Sequence, residues 1–131
     1  MMLLSALRGQ RPTTLPDDVA VRLDSIIESL VARTLLVFDD DAKVVGTVML
    51  DVFPSGEVEL HEIYIARTFR KQGYGTKVLR AVDQMLIEEG ARQLWLYPHS
   101  TDGVATDALV RWYARCGFIN DGEAGMIKHY R

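Results

Sequence analysis

Cysteine is almost missing from this chain. Cys116 is the only one in 131 residues, so an internal disulfide is excluded. His61, His99 and His129 stand far apart, no Cys/His spacing suits a metal, and no metal is expected. A surplus of one charge is lacking too. Fifteen basic against eighteen acidic residues leave a formal net charge of -3, which argues against nucleic acid or an anionic membrane as a general partner. Basic stripes with interleaved aromatics are also absent. No apolar run approaches the roughly 20 residues of a membrane helix. The apolar stretch Met1 to Leu7 has no basic residues ahead of it and ends early at Arg8, so no secretion signal is read there and a cytoplasmic protein is expected. Repeats, linkers and low-complexity tracts are missing as well, and residues 1–131 are expected to form one domain.

What is present suits a packed interior: 48% hydrophobic residues, 25% charged, and five Tyr, four Phe and two Trp. Pro16, Asp17 and Asp18 read as a helix start, and Val19, Leu23, Ile26, Ile27 and Leu30 recur at helical spacing, predicting an amphipathic helix over about 17–33. Thr34 to Phe38, Val44 to Asp51 and Val58 to Ala66 read as strands separated by the turns Asp39-Asp40-Asp41 and Pro54-Ser55-Gly56. After Gly73 the period changes. Val78, Leu79, Val82, Met85 and Leu86 share a helical face, and Gly90 supplies the stop. Gln93 to Tyr97 is a strand cut by Pro98, and the polar loop Ser100 to Gly103 follows it. Leu109, Trp112, Tyr113 and Cys116 then mark a last helix that Gly117 ends, and Phe118 to Asn120 and Met126 to Tyr130 close the chain as strands. Consecutive hairpin strands combined with two crossover helices predict an α+β fold, a mixed sheet flanked by helices.

The turn Arg70-Lys71-Gln72-Gly73-Tyr74-Gly75-Thr76 lies between a strand and an amphipathic helix. Alternate glycines let the main chain approach a ligand closely. Successive N–H groups at a helix start form an anion cradle, here with Arg70 and Lys71 beside it, and a diphosphate is its natural occupant. On spacing alone the segment is equally a solvated basic turn with two structural glycines. A dinucleotide fingerprint fits worse, because Val78 occupies the third glycine position, and there is no Gly-Lys-Ser/Thr pair for a triphosphate loop.

Ile63-Tyr64-Ile65, followed by Arg70-Lys71-Gln72-Gly73-Tyr74-Gly75, resembles the central motif of the GNAT superfamily of N-acetyltransferases: a hydrophobic strand end, Arg/Gln-x-x-Gly-x-Gly/Ala, then a helix. Leu109 to Phe118, with Tyr113 four residues before Gly117-Phe118, is similar to the family's closing helix. The resemblance covers about residues 17–131.

It implies an acetyltransferase that moves an acetyl group from acetyl-CoA to a primary amine, either a small molecule or a protein lysine or N-terminus. Under it the CoA diphosphate rests on the Arg70 to Thr76 turn, the pantetheine arm follows Ile63, Tyr64 and Ile65, and an N–H near Ile65 polarises the thioester carbonyl. Tyr113 matches the tyrosine that protonates the departing thiolate; a packing role is its alternative. Glu62 is the expected base, with Glu59 second, His61 third, and His99 a group that could serve through water. Strict alternation would set Glu59 and Glu62 on opposite sides of the strand unless a bulge intervenes. A glutamate that some relatives carry on the next strand is Tyr97 here. The resemblance allows a homodimer, for which the sequence shows no interface.

Three departures stand out. The family's usual first strand is expected to be absent, an asparagine of the closing helix is Thr106, and the loop Pro98 to Thr106 is longer by about four residues. Trp95, Trp112 and Cys116 read as core. The competing function is a non-catalytic acyl-CoA-binding regulatory module.

Overall fold

A computed structural model describes residues 2–5, 15–22, 33–99, 104–123 and 125–130. The first element is β1 (Met2–Ser5), paired antiparallel with the strand that follows the first helix. This corrects the expected absence of a first strand. Four residues with no polar alternation carry no periodic signal of their own, and the partner's edge gives them their conformation. Residues 17–22 form the described part of α1, with Val19 wholly buried; most of the predicted remainder lies outside the described residues. The helix does not reach 33, because Arg33 already belongs to β2 (Arg33–Phe38) and pairs with Leu50.

β2 is covered on both faces: Leu35 and Val37 enter the main core, and Leu36 joins Val19 under α1. Asp39 shapes the next turn, its Oδ1 accepting the N–H groups of Asp41 and Lys43 at 2.9 Å each. β3 (Val44–Val52) and β4 (Val58–Ile65) follow as a hairpin. A single 3₁₀ turn, Arg67–Phe69, leads to α2 (Tyr74–Glu88), which buries Val78, Leu79, Val82 and Leu86. Each such side chain contributes about 1.5–3 kcal/mol by leaving water. Gly90, at φ 81°, lets the chain leave the helix for β5 (Gln93–Leu96). Then come α3 (Thr106–Arg115), β6 (Ile119–Asn120) and β7 (Met126–His129).

Among the described residues the strands form one mixed sheet in the order β1-β2-β3-β4-β5-β7-β6, antiparallel throughout except for the parallel β4–β5 contact. α2 supplies the crossover between those two strands. Its apolar stripe meets Leu50, Leu60, Leu94 and Leu96 on one sheet face, while α1 covers Tyr64 and Val44 on the other.

Candidate active site

The site begins with a break in the sheet. β4 and β5 pair at Val58↔Leu94 and Glu59↔Trp95, and beyond these positions the strands part. Two local features flank the parting. Pro98 follows β5 and offers no N–H to continue a ladder. In β4 a bulge intervenes: Met49 pairs with Glu62 and Leu50 with Leu60, so His61 is an extra residue. The cleft between the strands has a volume of about 220 Å³. Ile63 and Ile65 line it from the face packed on the helices, and His61, Glu62 and Tyr64 from the opposite face.

The bulge changes the expected disposition of the carboxylates. Val58 and Leu60 face the main core before it, and Ile63 and Ile65 after it, so Glu59 and Glu62 both lie on the α1 side. Strict alternation, which would have separated them, is interrupted by one residue. Glu62 meets Arg22 of α1 at 2.7 Å. Glu59 stands directly opposite Asp51 of β3. His61 reaches back between these two carboxylates, its Nε2 hydrogen-bonded to Asp51 Oδ2 and 3.6 Å from Glu59 Oε2. His99 is exposed at the end of β5, its Nδ1 2.9 Å from the carbonyl of Tyr97.

At the other end of the cleft lies the glycine-containing turn. Arg70 shapes it rather than leaving it: its N–H is spent on the Arg67 carbonyl at 3.3 Å and its Nε donates to the Ile65 carbonyl at 2.8 Å. Lys71 (φ 63°) and Gly73 (φ 78°) both take left-handed backbone, bending the chain so that successive amides turn outward. Among the described residues the N–H groups of Lys71, Gln72, Gly73, Tyr74, Gly75 and Thr76 find no main-chain acceptor; the first helical bond outside them runs from Lys77 to Gly73 at 3.3 Å. Gly73 is the N-cap of α2 and carries no capping side chain, and a Cβ added there would meet nothing within 4 Å. These open donors at the positive end of a 15-residue helix fit an anionic group such as a diphosphate. Gly75 has a different reason to lack a side chain: a Cβ there would lie 3.0 Å from the Trp112 ring.

α3 delivers the aromatic wall. Trp112 donates from Nε1 to Thr76 Oγ1 at 3.4 Å and lines the cleft, so it is more than the core residue its spacing suggested. Tyr113 packs its ring on Trp112 and Phe118, with centroids 4.8 and 5.6 Å away, and also lines the cleft. Burial pushes the Tyr113 phenol up to about 12, helped by the nearby Cys116 and Glu62 charges. Cys116 is half-buried against the core, and burial raises its thiol, which fits the filler read from sequence.

Several contributors were invisible in the sequence. Asp18 of α1 accepts from the Tyr64 hydroxyl at 2.8 Å and from the Arg67 N–H at 3.0 Å, clamping the helix to the strand end. Burial raises its carboxyl, but the Tyr64 and Arg67 hydrogen bonds outweigh that and hold it below the usual carboxylate range. Gly46 of β3 sits so close to β4 that a Cβ would come 2.2 Å from the Tyr64 carbonyl oxygen. Asp51 had one signal: the tight turn at Pro54 to Gly56 sets 51 opposite 59, and like charges facing each other need something between them.

The model of the acetyltransferase (GNAT) family matches residues 3–118. Among solved structures the chain is similar to a GNAT acetyltransferase from Elizabethkingia anophelis with acetyl-CoA bound, at 15% identity and a TM-score of 0.71, covering 98% of this chain and 97% of that one. It is similar also to the PaiA N-acetyltransferase of Thermoplasma acidophilum in complex with coenzyme A, at 22% identity and a TM-score of 0.60, covering 86% and 68%. A third is the F149A mutant of the spermidine N-acetyltransferase SpeG from Vibrio cholerae, at 17% identity and a TM-score of 0.67, covering 98% and 95%. No curated protein matches the sequence significantly.

Proposed function

The chain belongs to the acetyltransferase (GNAT) family, and from that premise we propose that it transfers an acetyl group from acetyl-CoA to a primary amine by direct attack. The observation that carries this reading is the cleft itself, which runs from a turn of open amides past Tyr113 to a strand bulge bearing carboxylates and an imidazole.

The amides of Lys71 to Thr76 hold the diphosphate, and Ile63, Tyr64 and Ile65 guide the pantetheine arm between the parted strands. Bound there, acetyl-CoA supplies the activated acetyl thioester. Tyr113 holds the proton that the departing sulfur needs. The acceptor ammonium enters from the α1 side, where Asp51, Glu59 and Glu62 favour a cation, and it loses its proton to a group of the β4 bulge, where Glu62 and His61 both line the cleft. Alignment of the two reactants supplies most of the rate and proton transfer a smaller share.

No helix among the described residues is long and apolar enough to cross a membrane, and a cytoplasmic setting accompanies this reading, supported by the single cysteine. The test is thiol release from acetyl-CoA over a panel of primary amines and peptides. Turnover that requires an amine is the expected result, and CoA binding without turnover on any acceptor would remove the enzyme reading.

A further inference from the structure

The bulge in β4 places one side chain, His61, where regular pairing would have had none. Bulges re-aim a residue at the cost of ladder pairing, and they gather beside active sites. Here the extra residue is an imidazole that lines the cleft with about a third of its side chain exposed. Its Nε2 is taken by Asp51 Oδ2. With Asp51 ionised that hydrogen bond puts the proton on Nε2 and leaves the Nδ1 lone pair available, because in a neutral imidazole one nitrogen donates while the other accepts. Nδ1 has no hydrogen-bond partner among the described residues.

Glu62 lines the same cleft but faces the Arg22 guanidinium at 2.7 Å. Proton uptake by that carboxylate would give up its ion pair with Arg22. Proton uptake by His61 has the opposite consequence. The new imidazolium would sit between Asp51 and Glu59, two carboxylates that otherwise face each other across the hairpin. The other titratable groups around the cleft include Glu62 beside His61 on β4, with Arg22 from α1, and Tyr64, Tyr97, His99 and Tyr113 on its walls.

We propose that His61 is the catalytic base of the acetyl transfer and Asp51 its positioning residue, the two forming a dyad across the β3–β4 hairpin; this rests on the acetyltransferase reading. His61 Nδ1 takes one proton from the substrate ammonium. The freed nitrogen forms the N–C bond as the C–S bond breaks, Tyr113 gives its phenolic proton to sulfur, and the second proton shed by nitrogen restores the phenol. The imidazolium then returns its proton to solvent. Glu62 holds Arg22.

The test uses the full chain with His61→Gln, His61→Gly, Asp51→Asn, Glu62→Gln and the double variant His61→Gln/Asp51→Asn, each assayed on the best amine of the panel. His61→Gln should lower kcat about 100-fold, with the KM for acetyl-CoA little changed. Glu62→Gln should cost less. Asp51→Asn should also be slow, yet the double variant should be no slower than His61→Gln alone, because the two side chains act as a unit. Added imidazole should restore part of the His61→Gly rate.

A readout independent of turnover is the long-range proton–nitrogen spectrum of the protein without ligand. It should show the His61 ring protonated at Nε2, and Asp51→Asn should erode that preference. A ring protonated at Nδ1 would overturn the assignment, as would a His61→Gln variant as fast as the wild type. An active wild type with an unimpaired His61→Gln removes the assignment alone. A wild type inactive on every amine removes the acetyltransferase reading and the dyad with it.

Discussion

In the proposed transfer Tyr113 is the proton donor, and its burial suits that task. A phenol that gives a proton must still hold it at working pH, and burial in the ring cluster of Trp112 and Phe118 pushes Tyr113 up to about 12. A raised value means the proton stays on as pH rises, and the donor is lost only near that value. The proposal therefore predicts no fall in kcat from this group across about pH 8–10, where an ordinary phenol starts to ionise. A pH–rate profile checks it, and an alkaline limb in the wild type that Tyr113→Phe abolishes would contradict the raised value. Tyr113→Phe should itself lower kcat about 100-fold with little change in the KM for acetyl-CoA. Equal losses in both would point to packing instead. Tyr113 was legible in the sequence because its spacing from Gly117-Phe118 is local. Asp18 and Arg22 were not, since each acts on β4 from another element and no local pattern announces such a contact.

The strand–turn–helix unit from β4 to α2 carries most of the site, and its three parts differ in how far sequence could reach them. The alternation of Val58 and Leu60 marks a strand, and the stripe Val78, Leu79, Val82 and Leu86 marks a helix, so both elements were readable. The bulge at His61 was not, because it exists only in the register between β3 and β4, which the hairpin turn and the core fix together. β1 was missed for a related reason, being four residues whose pairing with β2 defines them. The glycines sort by mechanism. Gly46→Ala would drive a Cβ to 2.2 Å from a backbone oxygen that cannot retreat without moving β4, so a loss of about 1–3 kcal/mol is expected in denaturant unfolding. Gly75→Ala meets only the Trp112 ring, at 3.0 Å, which can shift by a few tenths of an ångström. It should leave stability nearly intact while weakening CoA binding through the displaced wall, and calorimetry beside thermal melting separates the two effects.

Across the fold, the sheet behaves as two leaves joined at a short hinge of pairing, with α2 and α3 packed on one face and α1 on the other. Long-range polar clamps fix the leaves. Lys128 and Tyr130 at the chain's end both reach Asp83 of α2, at 2.7 and 2.5 Å, and Asp18 ties α1 to the strand end. The Asp18 carboxyl lies below its ordinary value in the folded protein, so its contribution is complete above the unfolded value of about 4 and fades as pH falls through the folded one. Asp18→Asn should therefore lower the melting temperature at neutral pH, and the gap to wild type should narrow in acid; a gap independent of pH would contradict the clamp. The mixed sheet and its helices were legible from the order of elements, whereas the parting of β4 and β5 beside the bulge exists only in the assembled sheet. In the proposed reaction coenzyme A sits on the open amides at the start of α2. Calorimetric titration of coenzyme A into the wild type and Gly73→Asp tests that directly. Saturable binding to the wild type and none to the variant is the predicted result, and no heat with the wild type, or undiminished affinity in the variant, would contradict it.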